Sequence, residues 1–388
     1  MIDDLITICE INSHAYNTEG VNQVAEFLIN KYQKSFTNIE VEKIKLDNHK
    51  VINDRAELEN KALGNLVFIK KHVEKPVARV MLMGHLDTVF PPSSHFQKCK
   101  HLDDKTINGP GVADLKGGLL VMHKALEELE AKAPDKISWT VVFNPDEEIG
   151  SPQSQLYFEE LAKNHDIGMI YEPSLSDGSI AWRRKGTGNF QLVARGKAAH
   201  VGREFSKGKS AIFALAQFIQ EANKLNSPQE NIIINFGKIS GGGALNSVPE
   251  TAVLGINIRT ENLEDEKIAL DHLNSIIEKM NQEENLELTL HGKLNRKPKI
   301  PNEKMEKLYA AFLACAQELN LEFAQRNTGG CCDGNNFHEY GLVNLDTLGV
   351  RGGNIHSDQE FICTDSLEER SSLSALFLVK LASGQVTI

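Results

Sequence analysis

The sequence predicts an α/β protein: a domain with a mostly parallel sheet, into which a smaller ferredoxin-like α+β unit is inserted. Three observations carry this. Short apolar runs that do not alternate, "NLVFI" (65–69), "VARVMLM" (77–83), "ISWTVVF" (137–143) and "IGMIY" (167–171), stand between turn residues, as strands buried on both faces do. A helical stretch, 115–130, separates two of them, the alternation expected of parallel strands. The pattern then changes near Lys185 to an order β-α-β-β-α-β, the split unit of ferredoxin-like folds.

The elements follow in order. Residues 18–35 place Val21, Val24, Ala25, Leu28, Ile29 and Tyr32 on one helical face. The four buried runs and the helix between them come next. "GNFQLVARG" alternates like a half-solvated strand. A helix near 208–225 follows, with Ile212, Leu215, Ala216, Ile219 and Ala222 on one face. Strand-like "NIIINFGKI" and "ETAVLGINIR" precede a helix marked by Ala269, Leu273, Ile276, Ile277 and Met280, and "NLELTLHG" closes the unit. From about 293 the α/β character returns, with helices near 302–319 and 366–383 and a strand near "LVNLDTL". The expected division is 1–184 and 293–388 for the large domain and 185–292 for the insert.

Of the 388 residues, 41% are hydrophobic, enough for a sizeable core, and 42 basic against 53 acidic residues leave a net charge of −11. No basic run tracks phosphates, so neither nucleic acid nor an anionic membrane is an expected partner. The start, "MIDDLITICE", has no basic n-region, and no run is long and apolar enough to span a bilayer. The six cysteines form no C-x-x-C motif, and reduced thiols in the cytoplasm are the expectation.

Polar residues stand where the strands end. "GHLDTV" places His85 and Asp87 two apart, on one side of a strand, as a metal ligand and the group that orients it would be. "GPGVADLKGG" places Asp114 before a helix, where an N-cap is the plainer reading, among glycines that would let backbone approach an ion or substrate. "NPDEEIGS" sets Asp146, Glu147 and Glu148 side by side, an arrangement that costs free energy unless something offsets the repulsion. "YEPS" and "IHSDQEF" add Glu172 and His356. Each has an ordinary loop reading alone. Sites in open α/β sheets form outside the carboxyl ends of strands, however, so all of them could converge on one edge. Two histidines with several carboxylates suit zinc or a similar divalent ion.

These five motifs, in this order and over nearly the full chain, resemble those of the co-catalytic zinc exopeptidases and deacylases. That family includes glutamate carboxypeptidase, acetylornithine deacetylase and succinyl-diaminopimelate desuccinylase, and the glutamate carboxypeptidase branch resembles this chain most. The resemblance implies two divalent ions, zinc first and cobalt or manganese as alternatives. His85, Asp114, Glu148, Glu172 and His356 would be ligands, with Asp114 bridging and the peptide bond after it often cis. Asp87 would orient His85, and Glu147 would be the general base. Asp146 receives no role from the family and is expected to be a turn residue.

The insert would be a lid and dimerisation domain. In "GKAAHVGREFSKGKSA" the resemblance implies that His200 reaches the partner subunit's site and stabilises an oxyanion. Asn246 of "GGGALNSVPE" would bond substrate, and Arg259 of "GINIR" would bind a substrate carboxylate, unless it is a plain surface residue. "TGGCCDGNNF" departs from the family, which usually has Ser or Thr near Cys331 and Cys332. Cys332 is expected to be a buried, inert thiol. The implied activity is hydrolysis of an amide next to a free carboxylate, on N-acyl amino acids or small peptides, by a homodimer. An N-acetyl amino-acid deacetylase is the alternative, and a catalytically silent binding relative the remote one.

Overall fold

The computed structural model describes residues 1–175, 177–226 and 231–387. Its central sheet runs, from one edge, Ile39–Lys45, Asn65–Lys71, Ile137–Asn144, Ala78–His85, Ile167–Ile170 and Asn344–Leu345. The first two pairings are antiparallel and the other three parallel. The non-alternating runs are strands buried on both faces. Val67, Ile69, Val80, Leu82, Val141 and Phe143 join one core with Tyr32, Leu119 and Phe377 of flanking helices. Leu66, Phe68, Met81, Met83 and Val142 join a second core with Phe158 and Phe337 on the opposite face.

Register decides where the motifs emerge. His85 lies opposite Asn144, and Met83 opposite Ile170, so three neighbouring parallel strands end nearly level. "HLD", "PDEE" and "YEPS" therefore leave the sheet side by side. The glycines of "KGG" serve packing rather than access to a ligand. A Cβ on Gly118 would stand 2.2 Å from the Tyr171 carbonyl oxygen, so only glycine lets the helix Gly117–Lys132 lie this close to the strand's end.

A four-stranded antiparallel sheet occupies 186–296, in the order Ile232–Gly241, Thr251–Thr260, Gly186–Arg195, Glu287–Arg296. Helices Ala211–Ala222 and Leu263–Met280 share a separate apolar core with it. This is the ferredoxin-like order that the sequence suggests, with the last strand continuing past residue 292. The chain is thus an α/β protein with a large, mostly parallel sheet and an α+β insert.

Several features lie outside the sequence expectations. The strand Ile39–Lys45 extends the main sheet at its edge. A hairpin, His49–Ile52 with Leu58–Lys61, reaches across to the insert, where the Ile52 N–H donates to Gln191 Oε1 at 3.0 Å and Ala56 packs on Val193 and Val253. A small antiparallel sheet joins Lys100–Asp103, Thr106–Asn108, Phe361–Cys363 and Gly352–Gly353. Its last two strands are joined by the loop that carries His356.

Candidate metal centre

Asp114 sits at the middle of the site. Its Oδ1 lies 3.0 Å from His85 Nε2 and its Oδ2 3.2 Å from His356 Nε2. Glu148 Oε2 lies 3.2 Å from the same His356 nitrogen. Donor atoms of His85, Asp114 and Glu148 fall within 4.8 Å of one another. The Asp114–Leu115 peptide bond is cis.

Asp87 is buried and organises two strand ends at once. The other ring nitrogen of His85, Nδ1, is 3.0 Å from the Asp87 carbonyl oxygen and 3.4 Å from its Oδ1. A proton on Nδ1 donated there leaves the lone pair of Nε2 free to bind an ion. The two carboxylate oxygens of Asp87 also accept the backbone N–H groups of Glu147 and Glu148, at 3.2 and 2.9 Å. The turn that carries the acids is thus built around the residue that orients His85.

The three consecutive acids diverge. Glu148 joins His356 and Asp114. Glu147 turns to Arg296, whose Nη2 lies 2.7 Å from Glu147 Oε1 and also donates to the Glu147 carbonyl at 3.0 Å. Asp146 stands in the turn between Asn144 and the short helix Glu147–Ile149, as expected, and is fully buried there, accepting from the Ser154 hydroxyl and from the Gln153 N–H at 3.0 Å. Burial pushes its carboxyl up to about 7.

Charge in the cluster is out of balance in the way a cation would correct. Burial, with repulsion from Asp114, pushes Glu148 up to about 8. Burial likewise pushes Glu147 up to about 7 against the pull of Arg296. Burial and then Glu147 hold Glu172 well above the ordinary carboxylate range. Hydrogen bonds to Asp114 and Glu148 raise His356 to about 11. Burial disfavours a charge on His85, but its bonds to Asp114 and Asp87 outweigh that and hold it well above its usual value. Protons on the imidazoles hold the place of positive charge among carboxylates. Two imidazoles and three carboxylates form a donor set that suits a borderline divalent cation.

Two residues that sequence reasoning missed shape this centre. Glu360 is buried and accepts the N–H groups of Gly111, Ala113 and Asp114 at 3.2, 2.9 and 3.0 Å, so the hairpin that carries His356 also holds the Asp114 backbone. It stands inside the motif "IHSDQEF", but nothing in its spacing sets it apart. Arg296, 6% exposed, lies in the plain basic run "NRKPK".

The cluster opens into a cavity of about 440 Å³, lined by Glu147, Glu172, Arg184, Arg259, Cys331 and His356 among others. Arg259 is half-buried there, and its guanidinium contacts Asn257 Oδ1, the Gly329 carbonyl and Cys331 Sγ, none of them a carboxylate. Cys332, in contrast, is buried beneath and contacts Asp346 at 3.3 Å. The lining includes neither His200 nor Asn246. Both are exposed and lie together, with the Val201 N–H donating to the Asn246 carbonyl at 3.0 Å and His200 bridged to Ser247.

The chain is 26% identical over 312 residues to carboxypeptidase G2 of Pseudomonas sp. (strain RS-16), covering 79% of this chain and 74% of that protein. The fold is similar to that of an M20 family metallo-carboxypeptidase from Sulfolobus solfataricus, with a TM-score of 0.78 at 16% identity over 98% of this chain and 99% of the other. A tripeptidase from Staphylococcus aureus superposes with a TM-score of 0.74 at 21% identity, over 98% of each chain. The family model "Peptidase family M20/M25/M40" matches residues 81–380, a span that includes His85, Asp114, Glu147, Glu148, Glu172 and His356. The chain belongs to that family, and is a metal-dependent, carboxypeptidase-like hydrolase.

Proposed function

We propose that the protein is a dinuclear zinc carboxypeptidase, cleaving the amide next to a free carboxylate in N-acyl amino acids or small peptides. The observation that carries this reading is the shared cavity. It holds Asp114, Glu148 and His356 of the cluster, a carboxylate kept apart from them (Glu147), and a guanidinium (Arg259) that among the described residues contacts an amide, a carbonyl and a thiol rather than an acid.

His85, Asp114, Glu148, Glu172 and His356 would hold the ions. Asp114 offers one oxygen to each histidine's side, as a bridging carboxylate must. Bound divalent ions would supply Lewis acidity for the scissile carbonyl and acidify the attacking water. Asp87 fixes the His85 ring. Glu147, steadied by Arg296, takes a proton from that water and returns it to the leaving amine. Arg259 binds the substrate carboxylate through its planar fork of donors. The same donors would accept cobalt or manganese. The six cysteines are free thiols, which fits a cytoplasmic setting, and among the described residues no helix is long and apolar enough to cross a membrane.

The test is amide cleavage with and without chelator, on N-acyl-glutamates, dipeptides, N-acetyl amino acids and their methyl esters. We expect metal-dependent cleavage of free acids over esters, with Arg259→Ala raising KM for the acids alone. Preference for N-acetyl substrates would mark a deacetylase instead. No cleavage with ions bound would mark the silent relative.

His200 and Asn246 fit a homodimer. Near them in sequence, Phe205, Phe213 and Leu245 are 66%, 63% and 101% exposed, apolar surface that a second copy would cover. Sedimentation should give twice 43.1 kDa. A fully active monomer would remove the role in trans of His200.

A further inference from the structure

A second cavity, of about 730 Å³, adjoins the metal cavity, and the two share Glu148, Asn189, Asn257 and Asn295. Its volume lies in the range that encloses whole small ligands. One wall is the open face of the insert's sheet, where register sets the residues in rows. Arg259 lies opposite Thr187, Asn257 opposite Asn189, and Gly255 opposite Gln191. On the next strand, Lys293 lies opposite Asn189 and His291 opposite Gln191. Paired residues share a face of the sheet. Side-chain bonds identify that face: Arg259 Nε donates to Asn257 Oδ1 at 2.9 Å, and Asn257 Nδ2 to Asn189 Oδ1 at 2.8 Å. Lys293 and His291 therefore stand one and two rows beyond Arg259, about 7 and 13 Å further in the strand direction.

The facing wall is Tyr16 with the hairpin that begins at His49. Tyr16 Oη lies 3.1 Å from His49 Nδ1, and the bond from the Ile52 N–H to Gln191 ties the hairpin to the sheet. The charge of the lining points to its ligand. In a chain of net charge −11, the cavity carries three lysines and two histidines against one acid, Glu148, which faces His356. Lys238 is paired with Asp54 at 2.6 Å. Lys50, Lys293 and His291 are exposed, and among the described residues none of them is in an ion pair.

We propose that this second cavity binds the acyl side of the substrate and selects an acidic residue there. The carboxylate belongs to the residue that supplies the scissile carbonyl. Lys293 and His291 bind it from the sheet, and Lys50 from the hairpin. The inference rests on the reading that Arg259 takes the terminal carboxylate and the ions take the amide. Glu148 borders both cavities, so a substrate placed in that way continues past Glu148 into the second one. The family match begins at residue 81, so Tyr16, His49 and Lys50 lie outside it, and the match assigns this wall no role.

The test compares N-acetyl-Glu-Glu with N-acetyl-Gln-Glu, which differ only in the charge of the acyl residue. Cleavage is followed with the full-length, zinc-loaded protein. The same peptides are titrated calorimetrically into the chelator-treated protein, which reads binding without turnover. We expect kcat/KM and affinity to favour the Glu peptide by about fivefold, the upper measure of one partly exposed ion pair. Lys293→Arg should keep the preference. Lys293→Glu should reverse it, so that N-acetyl-Lys-Glu becomes the best of the three, a gain that poor folding would not produce. Equal treatment of the Glu and Gln peptides by the parent would overturn the proposal. So would a preference that survives both Lys293→Glu and Lys50→Glu. Cleavage of neither peptide would count against the function proposed above, and the calorimetric ratio would still decide the charge preference.

Discussion

Glu147→Gln should lower turnover by about 10²–10⁴-fold, the usual contribution of a positioned acid–base group, with ion content and fold unchanged. The substitution is nearly isosteric, and two main-chain contacts fix residue 147 beside the side-chain pair with Arg296: its N–H to Asp87 Oδ1 and its carbonyl from Arg296 Nη2. An amide oxygen can still accept from Arg296, so the Gln side chain keeps its place. What it loses is the ability to take a proton. Glu148→Gln, one residue away, should behave differently. It removes a carboxylate that touches His356 and lies within donor reach of His85 and Asp114, so bound ion should fall along with activity. Metal analysis beside kcat separates the two. Near-normal turnover in Glu147→Gln would sink the assignment of the base.

Much of this centre was legible because strand ends can be read from apolar runs, and parallel strands place their ends together. His85, Asp114, Glu148 and His356 meet, while Glu147, Glu172 and Arg259 share their cavity. Less legible were buried charges. Asp146, Glu360 and Arg296 carry side chains that ordinarily mean solvent, and only three-dimensional partners reveal that they are interior supports. The hairpin 49–61 and the small sheet with strands of two to four residues are too short to show periodicity, and their partners lie far away in sequence. His200 and Asn246 mark a different limit. Their surroundings in a single chain are solvent, so any catalytic role needs surface that this chain alone does not supply.

The stability gained from divalent ions should grow with pH. In the metal-free protein Glu147 and Asp146 stand near 7 and Glu148 near 8, all above their unfolded values, and His356 stands near 11, also above. Between each unfolded and folded value the native state binds more protons than the unfolded chain, so stability falls as pH rises. For the carboxyls the loss begins above about 4.5 and is complete beyond about 8, and for His356 it runs from about 6.5 upward. Asp114, held well below its usual value by the two histidines once burial is overcome, acts in the opposite sense, but only in acid far below this window. From about pH 5.5 to 8.5 these raised groups therefore act in one direction. A divalent ion reverses the effect, because it binds the deprotonated donors and supplies the positive charge that the protons supplied. Ion at 100 times its dissociation constant adds about 2.7 kcal/mol, and that constant tightens as the ligands lose protons. Thermal melts with chelator and with zinc, at about pH 5.5, 7.0 and 8.5, should show a Tm difference that widens with pH in the parent and shrinks in Glu148→Gln. A difference independent of pH would mean that ion binding does not displace these protons, and that the buried carboxyls are balanced from within the protein instead.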